Sequence, residues 1–146
     1  MEIIVASFGG VGTTFLMDAL GRYRRLNHRD DDDRLKHFPR PPRAWQNPRG
    51  KAIYVFGDPY LALLSLFRRE FHHYQSGKLM HLRPEEPVGR EESLSEYLEA
   101  GEDRFHFEEH LRAWTRSPTA YPVLAVRSEA IWDHLDEIFA YAGIPP

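Results

Sequence analysis

The stretch Ser7-Phe8-Gly9-Gly10-Val11-Gly12-Thr13-Thr14 carries the residue types needed to hold an anion. Its glycines let the backbone curl until successive N–H groups converge, and its threonines add hydroxyl donors. An apolar run, Ile3-Ile4-Val5-Ala6, precedes it, and Phe15 to Tyr23 reads as helix. Strand, glycine-rich turn and helix start, in that order, are the parts of a phosphate-binding loop. The loop is not a Walker A sequence, because Gly12 leads straight into Thr13-Thr14 with no lysine for the terminal phosphates. A second pattern, His106-Phe107-Glu108-Glu109-His110, has the H-x-x-E-H spelling in which two histidines one helical turn apart hold zinc. No downstream glutamate ligand stands out, and no metal is expected.

Composition bounds these chemistries. The chain has 146 residues, 42% hydrophobic and 28% charged, which fits one globular domain over residues 1–146. A net charge of −3 leaves no excess of Lys and Arg to neutralise nucleic-acid phosphates, so no nucleic-acid partner is expected. With no cysteine, thiol catalysis and disulfides are excluded. The acidic Met1-Glu2 start does not read as a signal peptide, and no apolar run approaches the ~20 residues of a membrane span. The sequence reads as a soluble cytoplasmic protein.

The elements that must position the loop follow from periodicity. Residues 2–7, 34–38, 52–56 and 122–126 read as four parallel strands, each a short apolar run. Between them, Leu16, Ala19, Leu20 and Tyr23 share a helical face, and Asp58-Pro59 opens a helix with a stripe of Tyr60, Leu64, Phe67, Phe71 and Tyr74. Gly77 to Glu92 is loop-like. Ser93 with Glu96 is a capping box, and a helix over about 105–116 buries Phe107, Leu111 and Trp114. A last helix turns Ile131, Leu135, Ile138 and Phe139 inward. Strands alternating with helices predict an α/β three-layer sandwich with a mostly parallel sheet of about four strands. Ligands on such sheets bind at the carboxyl ends of the strands, where the glycine loop, His37 and Gly57-Asp58 all fall. The acidic run Asp30 to Asp33 reads as a solvated loop.

These segments, in this order, resemble the sulfotransferases that use 3′-phosphoadenosine 5′-phosphosulfate (PAPS). Ser7 to Phe15 is similar to the 5′-phosphosulfate loop S-[YF]-P-[KR]-S-G-T-T-[WF], and Lys36-His37-Phe38-Pro39 to K-T-H-L-P. Ile53 to Pro59, followed by Ser65, resembles the 3′-phosphate motif I-Y-V-x-R-[ND]-P-x-x-x-x-x-S. Phe107, His110 and Trp114 resemble W-x-x-H-x-x-x-W, Val123 to Glu129 resembles V-L-x-L-R-Y-E-D, and Phe139 to Pro145 resembles F-L-G-[IL]-P.

The resemblance implies a P-loop-like fold and a sulfuryl transfer from PAPS to a hydroxyl or amine of a small-molecule or glycan acceptor. It implies His37 as the catalytic base, whose ordinary titration range suits that task. It implies Gly9, Gly10, Val11, Gly12, Thr13 and Thr14 around the phosphosulfate, and Ser65 at the 3′-phosphate. Two basic positions of the family are glycine here: Gly10 in the loop and Gly57 at the end of the third strand segment. Arg68, Arg69 and Arg127 are candidates to replace that charge. The glycines leave a second reading open, a non-catalytic relative that binds a nucleotide, an anion or a protein partner.

Overall fold

In a computed structural model, described over residues 1–43, 45, 47–79 and 87–145, the chain forms an open parallel sheet with helices between its strands. The strands are β1 (Ile3–Ser7), β2 (Lys51–Phe56) and β3 (Val123–Arg127), in the order β1-β2-β3. Consecutive residues of β1, and Ala52 to Val55 of β2, are all buried, so both faces of these strands are covered. That is why they read as unbroken apolar runs rather than as alternation. β3 lies at the edge, and only Val126 is fully buried there.

Register explains one large core contact. Ala6, Tyr54 and Ala125 lie side by side across the sheet. The small neighbours leave room above Tyr54, and the Trp114 ring stacks there with centroids 5.3 Å apart and planes 2° from parallel. Helix-over-sheet packing on this face is therefore an aromatic stack between alanines.

The fourth expected strand is absent, because residues 34–38 form turns. Its task is done by side chain and loop. Asn27, 4% exposed, accepts from the Val5 N–H at 2.7 Å and donates to the Val5 carbonyl at 3.1 Å. The Arg25 carbonyl takes the Ile3 N–H at 3.3 Å, and the Lys36 carbonyl takes the Ser7 N–H at 2.8 Å. The outward groups of residues 3, 5 and 7 are thus paired without a strand beside them. Replacing Asn27 by leucine should cost about 1–3 kcal/mol for each orphaned backbone group, read as a lower urea midpoint.

Six helices occur among the described residues: α1 (Thr13–Leu20), α2 (Pro59–Arg68), α3 (His72–Leu79), α4 (Leu94–Ala100), α5 (Phe107–Arg116) and α6 (Leu135–Tyr141). Asp58 caps α2, accepting from the Tyr60 and Leu61 N–H groups, with Pro59 in the first turn. Ser93 and Glu96 form the expected capping box of α4. α5 buries Phe107, His110 and Trp114. Of the expected stripe beyond Asp58, only Phe67 packs against the core. Tyr60, Leu64, Phe71 and Tyr74 are exposed, and Ala62, Leu63 and Leu66 are buried instead. The helix breaks at Glu70, whose φ is 57°, so the stripe combined two separate helices. Tyr23 is likewise exposed, because α1 ends at Leu20. Of the expected loop over 77–92, residues 80–86 lie outside the described residues; Gly77–Leu79 belong to α3, and 87–92 are irregular. No described helix is long and apolar enough to cross a membrane.

Candidate functional site

At the carboxyl end of β1 the chain turns through Gly9, Gly10 and Gly12, with φ of 94°, 71° and 72°. L side chains rarely adopt this region. Space adds a second constraint: a Cβ on Gly10 would lie 2.8 Å from the Ala62 carbonyl oxygen. Ser7 staples the turn from inside, its Oγ accepting from the Gly9 N–H at 3.2 Å and from the Thr13 hydroxyl at 2.7 Å. Gln75 of α3 holds it from outside by donating to the Phe8 carbonyl at 3.1 Å. Gly12 then starts α1, whose first turn holds no acidic residue and receives no side-chain cap. The partial positive charge of that helix start is left uncompensated by the protein.

Residues 36–38 lie alongside. Lys36 is buried, and its Nζ donates to the Thr14 hydroxyl at 2.9 Å and to the Arg29 carbonyl at 2.8 Å. Burial pulls its pKa below the usual lysine value, opposed by the nearby Asp31 and Asp30 carboxylates. Asp31 orders the same turn, accepting from the Lys36 N–H and the Lys78 ammonium at 2.9 Å each. His37 Nδ1 lies 2.9 Å from the Ser7 carbonyl oxygen. A carbonyl only accepts, so Nδ1 carries the proton and Nε2 keeps its lone pair. Desolvation by burial pushes the His37 pKa down to about 4, against the opposing pull of the Ser7 carbonyl.

α5 supports this segment from beneath. Trp114 Nε1 donates to the Phe38 carbonyl at 2.8 Å. His110 is held down to a pKa of about 3 by burial, and its Nδ1 lies 3.0 Å from the Tyr54 hydroxyl. Phe107 packs on Phe8, with ring centroids 4.5 Å apart. One helix face thus braces both the glycine turn and the histidine segment. The two histidines of the H-x-x-E-H run do not converge, since His110 faces Tyr54 while His106 Nδ1 lies 4.0 Å from Glu109.

Loop and histidine segment open onto one cleft of about 630 Å³. Of the residues expected at the site, Gly9, Gly10, Gly12, Thr13, Thr14, His37 and Ser65 line it. Val11 does not; it is buried, with its Cγ1 beside Gly57. Thr13 lines the wall, but its hydroxyl proton is committed to Ser7, leaving Thr14 as the hydroxyl donor of the pair. Gly57 lies outside the cleft, and a Cβ there would meet the Ser128 hydroxyl. At Gly10 the α2 backbone leaves no room for a side chain, whereas at Gly57 a side chain would have to displace the Ser128 hydroxyl.

Charge comes from elsewhere. Arg29, Lys36, Arg68, Arg69 and Lys78 line the cleft against the carboxylates of Asp30 and Asp31. The cleft is thus net positive on a chain of net charge −3. Arg127, the third candidate, instead pairs with Glu129 at 3.3 Å. Glu129 in turn accepts from the Asp58 N–H at 2.8 Å and fixes the end of β2.

Comparison with family models, with curated proteins and with solved structures finds no match. The structure brings the expected loop residues, His37 and Ser65 to one cleft and adds Lys36, a buried cation absent from the expected site. Its signal was adjacency to His37 in a segment that had to return to the end of β1.

Proposed function

We propose that the cleft binds the phosphosulfate end of PAPS and that the protein transfers its sulfuryl group to a hydroxyl or amine of a small-molecule or glycan acceptor. A P-loop-like, three-layer arrangement of the sulfotransferase kind is part of this reading. The observation that carries it is the concentration of positive charge, an uncapped helix start and a histidine with a free Nε2 around one cleft.

PAPS supplies a sulfuryl group already attached to a phosphate leaving group. The chain's own residues divide the remaining work. His37 Nε2 takes the acceptor proton as the new S–O or S–N bond forms and the bond to the phosphate oxygen breaks. Its Nδ1–H bond to Ser7 fixes the ring in the required tautomer. The loop N–H groups, the Thr14 hydroxyl and the Lys36 ammonium meet the charge that builds on the departing phosphate. Because Lys36 sits in a partly desolvated place, its charge acts through less screening than a surface lysine would. Ser65, Arg68 and Arg69 take the 3′-phosphate in the absence of an arginine at Gly57.

Calorimetric titration tests the binding half. 3′-Phosphoadenosine 5′-phosphate should bind saturably and more weakly as salt rises, and about ten- to a hundredfold tighter than adenosine 5′-phosphate. An Arg68→Ala, Arg69→Ala double variant should erase that preference. No saturable binding of either nucleotide would remove the proposal. The second reading, binding without catalysis, is favoured by the crowding at Gly10, which keeps a basic side chain out of the loop itself. Tight nucleotide binding with no sulfated product across a panel of phenol, alcohol, amine and glycan acceptors would decide for it.

A further inference from the structure

A second cavity lies on the other side of Phe8, between the start of α2, α4 and α5. It holds about 450 Å³, within the ~300–1,000 Å³ of small-molecule pockets. Phe8, Leu63, Tyr97, Phe107 and Leu111 supply apolar walls, while Gly57 and Gly101 contribute no side chain. Gly101, exposed at the end of α4, leaves that side open. The ionisable residues that line it besides Tyr97 are Glu102, Asp103 and Glu108, with no Lys, Arg or His.

We infer that this cavity binds a small hydrophobic amine, its apolar body against Phe8, Tyr97 and Phe107 and its ammonium among Glu102, Asp103 and Glu108. Three features set that class. The walls exclude a polar body, because a sugar or nucleotide would lose its water without finding hydrogen-bond partners there. Lining charge is of one sign, so an anion is repelled and a cation attracted. The carboxylates are also unequally engaged. Glu108 pairs with Arg112, and Asp103 accepts from the Glu108 N–H at 3.3 Å. Glu102 has no side-chain partner among the described residues and is the acid left to meet a ligand. None of the lining residues is shared with the His37 cleft, so this site does not depend on the proposed transferase activity.

The test is a heteronuclear NMR titration of the whole protein with 2-phenylethylamine, 2-phenylethanol and 3-phenylpropanoate. The amine should saturate, with shifts at Tyr97, Phe107 and Leu111, and bind about two- to fivefold tighter than the alcohol. The carboxylate should bind weakest. A Glu102→Gln, Glu108→Gln variant changes only exposed side chains; it should bring amine affinity toward that of the alcohol and leave the alcohol unchanged. Lys36→Met should not alter amine binding, so a failed nucleotide cleft and a failed amine site give different results. Equal affinity for the three probes, no saturation by any, or indifference of the amine to the double variant would each overturn the inference. So would a protein that sediments as a dimer, becomes monomeric on Leu98→Arg, and does not bind the amine, since a second copy would then cover this face.

Discussion

In the proposed reaction, His37→Asn should lower sulfuryl transfer by about 10²–10⁴-fold while leaving affinity for 3′-phosphoadenosine 5′-phosphate within a few-fold of wild type. Asparagine places an amide nitrogen near the position of Nδ1, so the bond to the Ser7 carbonyl is retained and the segment stays in place. What it lacks is the lone pair at Nε2. His37→Gln, whose amide reaches toward the Nε2 position, should be equally inactive and also lose the Ser7 bond. Equal loss of binding and turnover in His37→Asn would make the histidine a binding residue. The pH profile gives an independent check. With its pKa at about 4, His37 is neutral above about pH 5, so the limb due to this base should fall only near pH 4. An unperturbed histidine would give a limb near pH 6.5. The same shift bears on stability. The folded pKa lies below the unfolded one, so the unfolded chain binds the proton first. Stability is fully present above about pH 6.5 and is lost as pH falls toward 4. His110, lowered to about 3, acts in the same direction.

Lys36→Met should weaken binding of 3′-phosphoadenosine 5′-phosphate by about ten- to a hundredfold, the worth of one charge-assisted hydrogen bond of ~1.5–3 kcal/mol. Turnover should drop further, by about 10²–10³, because the lost donor faces charge that grows during transfer. Folding should survive the change. Burial disfavours the charged ammonium, as its lowered pKa records, and methionine fills similar volume without that cost. Lys36→Arg should not restore the wild type, since a planar guanidinium cannot make the same contacts to Thr14 and the Arg29 carbonyl in the same space. Titration calorimetry and a thermal melt on the same samples separate the two effects. Unchanged affinity in Lys36→Met would show that the cleft charge resides on Arg68 and Arg69.

Much of this arrangement was legible in the residues. The glycine spacing announced positive φ before Thr13, Asp58-Pro59 announced the start of α2, and Ser93 with Glu96 announced α4, because each is a local solution to unpaired backbone groups. His37 was singled out through its neighbours Lys36 and Pro39. What escaped had non-local causes. Residues 34–38 look extended because Leu35 and Phe38 are apolar, yet no pattern in them reveals that Asn27 already occupies the place beside Val5. The outward face of α2 was chosen by bulk: its aromatic residues outweighed Ala62, which is buried because the Gly10 backbone must come close. Lys36 was overlooked as a cleft cation because the replacement charge was sought on Arg68, Arg69 and Arg127, of which Arg68 and Arg69 do line the cleft.

Asn27 also decides how this protein meets other copies of itself. A strand edge with free N–H and C=O groups is a template on which another chain can add a strand, and many proteins guard such edges with charge or proline. Here a single buried amide, with the Arg25 and Lys36 carbonyls, occupies the row along β1, and the strand beneath is the apolar Ile3-Ile4-Val5-Ala6. That tetrapeptide is uncharged, rich in β-branched residues and free of proline, the composition of an aggregation-prone segment. Loss of Asn27 therefore does more than lower stability. It uncovers an adhesive segment at the moment its guard is removed, so damage at this position should surface first as insoluble protein.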